Sequence, residues 1–189
     1  MSLLRRLRYK SNRQSAYSGV VTTADADVAL VLDFLNTVDV EDGTDLLEDP
    51  AGWGAWLTTR GLSETDSAAD STASSTASSA AAVRTALRAA AGEPSVDPSA
   101  SRPSARVTVS LEADGPRLVA DDVAGAVLAA ASRLAVLGDW DRIKICPADD
   151  CRWAFFDRSR NHSRTWCSMR VCGNREKARA WRERARANG

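Results

Sequence analysis

Cys146, Cys151, Cys167 and Cys172 are the four cysteines of this 189-residue chain, and they read C-x4-C-x15-C-x4-C. Two short pairs separated by a spacer long enough for a β-hairpin suit a tetrahedral site of four sulfurs. Each pair makes a tight knuckle that sets two thiolates about 3.8 Å apart around Zn–S bonds of about 2.3 Å. The expected occupant is one zinc ion. Disulfides would suit a secreted domain, but the N-terminal residues carry no signal-peptide pattern. Iron–sulfur clusters use other spacings, and free core thiols are more often scattered than paired. Four thiolates leave no coordination position for water or substrate, so the expected role of the metal is structural.

The segments between the cysteines give this site a shape. Arg152–Asp157 reads as a strand, residues 158–162 as a polar loop, and Ser163–Trp166 as a returning strand. After Cys172, Gly173 and Asn174 lead into an Ala/Arg/Glu/Lys-rich helix over 175–187, with Asn174 as its expected N-cap. A knuckle, a hairpin and a second ligand pair at a helix N-terminus make a treble-clef-like finger. On the helix, Arg175, Arg179, Arg182 and Arg186 form one stripe. Ala178, Trp181 and Ala185 form another, expected to pack on the hairpin.

The run Cys167–Arg175, with Phe155–Asn161 and Arg164-Thr165-Trp166 before it, is similar to the CGNR zinc finger family. Cys172-Gly173-Asn174-Arg175 is the tetrad that names the family, and Lys177 stands where its members carry a lysine. The resemblance spans about residues 140–187. In bacteria such a finger usually follows an ABATE domain, assigned to stress-induced transcription regulation. Leu32-Asp33-Phe34-Leu35-Asn36-Thr37 resembles the opening motif of that domain. The resemblance implies a bacterial, zinc-binding, stress-responsive regulator that binds DNA.

Zero net charge conceals an asymmetry. Residues 140–189 hold 13 Lys/Arg against 6 Asp/Glu, a net charge of +7, and the remaining 12 basic and 19 acidic residues leave −7 upstream. A basic finger on an acidic domain fits polyanion binding, or attraction between the two halves. No apolar run approaches the ~20 residues of a membrane helix, so a soluble, cytoplasmic protein without a membrane partner is expected. The expected class is α+β: a flexible basic tail (1–20), a mainly helical ABATE-like domain with one β-hairpin (21–139), and the finger (140–189), packed against that domain.

Within the middle domain, Val28, Val31, Leu32, Leu35 and Val38 recur at helical spacing, with Asp25 or Asp27 as cap. Asp49-Pro50 starts a second helix that Gly61 stops, and its Trp53, Trp56 and Leu57 read as core. Residues 67–82 are a Ser/Ala/Thr low-complexity run before a short helix at Val83–Ala90, and 93–104 a proline-rich loop. Residues 106–120 read as a hairpin turning at Asp114-Gly115. Val123, Val127, Ala130, Leu134 and Leu137 mark a helix that Gly138 ends.

Three functional readings compete. In the first, the finger contacts nucleic acid, DNA in particular, through Arg160, Arg164, Arg175, Arg179, Arg182 and Arg186, while the helical domain senses a signal or forms a homo-oligomer. In the second, the finger is a purely structural clasp in an RNA- or protein-interaction module, with Trp153, Phe155 and Phe156 closing a small core. The third is a small-molecule sensor or enzyme with a ligand pocket at Asp33, Asn36 and Thr37. Catalysis is not expected: the sole histidine, His162, lies in the finger, and no phosphate-binding glycine loop or nucleophile motif occurs.

Overall fold

Residues 22–62, 73–97, 102–120 and 122–187 are described by the computed structural model. The expected tail over 1–20, the start of the 67–82 run and residues 98–101 of the proline-rich loop lie outside them. Thr22 opens the first helix, α1 (Thr23–Leu35). Its hydroxyl accepts the Asp25 N–H, and the Asp25 carboxylate accepts the Thr22 N–H, a reciprocal capping box. Asp25 therefore closes the box from inside the helix and is not its N-cap. Asp27 is no cap either. It is buried and takes both Nε and Nη2 of Arg133, at 2.8 and 2.5 Å.

A two-residue ladder, β1 (Val38–Asp39) with β2 (Thr44–Asp45), leads to the second helix, α2 (Pro50–Thr58). Asp49 caps it by accepting the Gly52 N–H. Trp53 and Trp56 stack at 5.0 Å, and Phe34 lies 6.5 and 6.2 Å from their rings. These three aromatics supply bulk to a core lined mainly with valine, leucine, isoleucine and alanine.

The third helix, α3 (Ala73–Ala90), is longer than the expected Val83–Ala90 segment. Part of the Ser/Ala run is helical because alanine has the best helix propensity. Ala80, Val83 and Leu87 then share a buried face. The ribbon β3 (Thr108–Glu112) and β4 (Gly115–Val119) pairs Glu112 with Gly115, so Ala113-Asp114 form the turn, one residue earlier than expected. Asp122 caps α4 (Val123–Leu137), and Gly138, at φ 76°, ends it in the left-handed conformation that glycine adopts without a Cβ clash. No helix among the described residues is long and apolar enough to cross a membrane.

The last ladder corrects the expected finger hairpin. The partner of β6 (Ala154–Phe156) is not Ser163–Trp166 but β5 (Ile143–Ile145), with Ile143 opposite Phe156 and Ile145 opposite Ala154. The first cysteine pair therefore sits in the turn of this hairpin. Alternation at period two divides it between two cores. Ile143, Ile145 and Ala154 join the helical domain, with Phe156 packed against them, whereas Trp153 and Phe155 join Cys146, Ala148, Cys151 and Cys172. Phe156 thus leaves the small core assigned to it from sequence. The final helix, α5 (Asn174–Ala187), buries none of its residues.

Candidate metal centre

The four cysteine Sγ atoms lie within 4.8 Å of one another. Cys151 and Cys167 are 3.5 Å apart, and Cys167 and Cys172 3.6 Å, far beyond a disulfide bond and close to the edge of a tetrahedron of Zn–S bonds. All four are free thiols, three of them buried. Among themselves the thiols compete for ionisation. Hydrogen bonds from Cys151 and Cys167 pull Cys146 down, while the bond to Cys146 pushes Cys151 and Cys167 up, and burial raises Cys172. A divalent cation is the charge that lets all four ionise together. These residues fit one structural zinc ion. Cys146 and Cys151 in the turn of the hairpin and Cys167 and Cys172 in the segment leading into α5 would be cross-linked by it, with no open position for a reaction.

The first knuckle is folded by its own backbone. Cys146 N–H donates to Trp153 O at 2.9 Å, and Cys151 N–H to Ala148 O at 3.0 Å. Arg152 then takes φ 52°, a left-handed conformation costing a non-glycine residue roughly 1–2 kcal/mol. Its guanidinium offsets this by donating to Pro147 O at 3.0 Å and pairing with Asp149.

Arg152 is also held from the helical domain. Buried Arg88 donates to Arg152 O at 2.6 Å, to Leu35 O at 2.8 Å and to Glu93 Oε2 at 2.6 Å. Beside it, Asn36 donates to Ala154 O at 3.0 Å and accepts the Ala154 N–H at 2.8 Å, so its amide occupies the hydrogen-bonding edge of β6. Thr37 accepts from Arg84 and donates to Phe34 O, and Asp33 pairs with Arg60 at 2.5 Å. The residues read as a ligand pocket thus bond to separate parts of the protein. Two of them, Asn36 and Thr37, are buried.

Residues 157–166 form no strand because side chains, not a ladder, take up the backbone groups. The buried Asp157 carboxylate accepts the N–H of Ser159 and of Arg164, each at 2.9 Å, and Lys144 Nζ at 2.6 Å. Lys144 also donates to His162 O and Arg164 O. Burial works against ionisation of Asp157, but these bonds outweigh it and hold its carboxyl below the usual range. The contribution to stability is full above the ordinary carboxylate pKa of about 4 and disappears as pH falls through the lower folded value. In urea titrations between neutral and acid pH, Asp157→Asn should lose stability at neutral pH and converge on the unsubstituted protein at low pH.

Arg164 is spent in the same loop. It donates to Trp166 O at 2.8 Å and to Cys167 O, and lies 4.9 Å over Phe155. Cys172 lies in a wide π-type turn, Met169–Gly173. A Cβ on Gly173 would meet Met169 Sδ at 2.4 Å, so the half-exposed methionine side chain would have to swing aside for any larger residue. Asn174 has helical φ and ψ and its amide reaches back to Arg170 O, so it is the first residue of α5 and not a cap. Arg175 pairs with Asp150 at 2.7 Å and lies 3.7 Å from Cys172 Sγ.

The arginine stripe of α5 is divided. Arg175 and Arg179 turn to the first knuckle: Arg179 reaches Asp149 at 3.9 Å, with Glu176 at 3.3 Å and Glu183 at 3.9 Å. Arg182, Arg186 and, on the loop, Arg160 are exposed and form no ion pair with a described residue. Nor does the helix pack on the hairpin, since Ala178, Trp181 and Ala185 are all exposed. Asp149-Asp150, an acidic pair inside a basic module, was the sequence signal for the tethering of Arg175 and Arg179. The Arg88–Glu93–Arg152 seam had no local signal.

Residues 142–185 match the family model of the CGNR zinc finger. Residues 28–142 match the ABATE model, described as "Putative stress-induced transcription regulator". The chain belongs to the ABATE family. The ABATE match ends at Arg142, where the short 3-10 turn Trp140–Arg142 gives way to β5, and the finger match begins there. The hairpin that carries the first zinc ligands is therefore also the element the ABATE helices pack upon. No curated protein matches the chain.

Proposed function

We propose that the chain is a zinc-dependent transcription regulator of the bacterial cytoplasm that binds DNA through α5 and responds to stress. The observation that carries this reading is that α5 buries nothing while Lys177, Arg182, Arg184 and Arg186 pair with no described acid. Its 14 residues span about 21 Å at 1.5 Å each, and its width of about 10–12 Å suits a major groove about 12 Å wide. Zinc would hold the root of the helix, and Arg175, paired with Asp150 at 2.7 Å, ties its first turn to the first knuckle. Free cations at the far end then meet phosphate as a rigid array. A reducing compartment keeps four thiols available to the metal. The reading is non-catalytic: the metal site is closed, and His162 lies on an exposed loop.

Arg182→Glu, Arg184→Glu and Arg186→Glu together should weaken binding to mixed-sequence duplex DNA at least tenfold at low salt. Zinc content should stay at one per chain. Unchanged affinity in that variant would remove α5 as the contact element.

A further inference from the structure

Trp181 lies 66% exposed in the middle of α5. Lys177 stands four residues before it and Arg184 three after, both on its side of the helix and neither paired with a described residue. Along the axis these cations sit about 6 and 4.5 Å to either side of the indole. The acids of the helix, Glu176 and Glu183, lie about 140° and 160° round from Trp181, and the tethered Arg175 and Arg179 face the first knuckle. A flat π face bracketed by two free cations matches a base with a phosphate on each side.

We propose that Trp181 is a stacking platform for an unpaired nucleobase, with Lys177 and Arg184 holding the phosphates that flank it. The proposal rests on the nucleic-acid reading above and names the form of nucleic acid the helix prefers. In an intact duplex every base face is covered by its neighbours, so the indole finds a partner only in a single strand or a melted stretch. The arginines at 182 and 186 grip phosphate in either form.

Zinc-loaded full-length protein is titrated with a labelled DNA single strand and with the duplex of the same sequence. Trp181→Ala should weaken single-strand binding about tenfold and duplex binding less than twofold. Trp181→Phe should retain most of the affinity, and the salt dependence should not change, because stacking releases no counterions. Zinc content and helicity should hold, since the side chain is not part of either core. Equal affinity of the alanine variant for the single strand, or equal loss on both forms, overturns the platform and leaves the regulator reading in place. Absence of binding by the unsubstituted protein overturns both.

Discussion

Removing zinc with a chelator unfolds the finger beyond the hairpin and leaves the helical domain folded. Among the described residues, the second core holds Cys146, Ala148, Cys151, Trp153, Phe155 and Cys172, with Trp166 and Cys167 against it. Such a cluster does not fold unaided, and structural zinc sites supply about 10–16 kcal/mol of apparent binding free energy. In hydrogen exchange, amides of the knuckle and of residues 157–187 should lose protection on chelation. Those of α1 and α4 should keep it. The boundary should fall inside the hairpin, because Ile143, Ile145 and Ala154 belong to the main core and Asn36 holds Ala154 from the helical side. Cys172→Ser should reproduce the pattern with zinc below one per chain. Uniform loss of protection along the chain would mean that both cores fold as one unit.

Arg88→Met is expected to destabilise the protein by up to about 3–5 kcal/mol, the cost of taking the hydrogen-bonded cation away from a buried charge. Glu93 is 6% exposed; Arg88 is its hydrogen-bonded cation at 2.6 Å, while Ser95 donates to its other oxygen and Arg152 stands at a longer 3.6 Å. The substitution also frees the carbonyls of Leu35 and Arg152, which joins the damage to the zinc knuckle. Burial lowers the pKa of the Arg88 guanidinium, and the Glu93 carboxylate works against that shift. A second change, Glu93→Leu, should recover much of the loss in urea denaturation, since an apolar pair of similar volume needs no charge compensation. A single substitution costing under about 0.5 kcal/mol, the range of an ordinary surface site, would show the seam to be dispensable.

The sequence carried the parts of this fold that depend on local chemistry. Asp49-Pro50, Gly138 and the spacing of Val123, Val127, Ala130 and Leu134 mark element ends and buried faces because caps and periodicity act within a few residues. The cysteine spacing likewise announces its tetrahedron. What was not legible depends on long-range partners. Ser163–Trp166 has the pattern of a strand opposite Ala154–Phe156, but Lys144 and Asp157 hold that stretch as a loop and Ile143–Ile145 takes the place beside β6. Helical spacing puts Trp181 on a face with Ala178 and Ala185 but does not say whether anything covers that face. Asn36 lay in a motif that pointed to a pocket, and its partner is 118 residues away.

Nucleic-acid affinity of the zinc-loaded full-length chain, measured across a salt series on duplex DNA, tests the central claim most directly. With Lys177, Arg182, Arg184 and Arg186 as the principal phosphate contacts, the logarithm of the association constant should fall against that of salt with a slope of about −3 to −4. Duplex binding without that salt dependence, or no binding to duplex or single strand at low salt, would contradict α5 as a nucleic-acid surface and leave the finger as the clasp that Asn36 and Arg88 make of its hairpin.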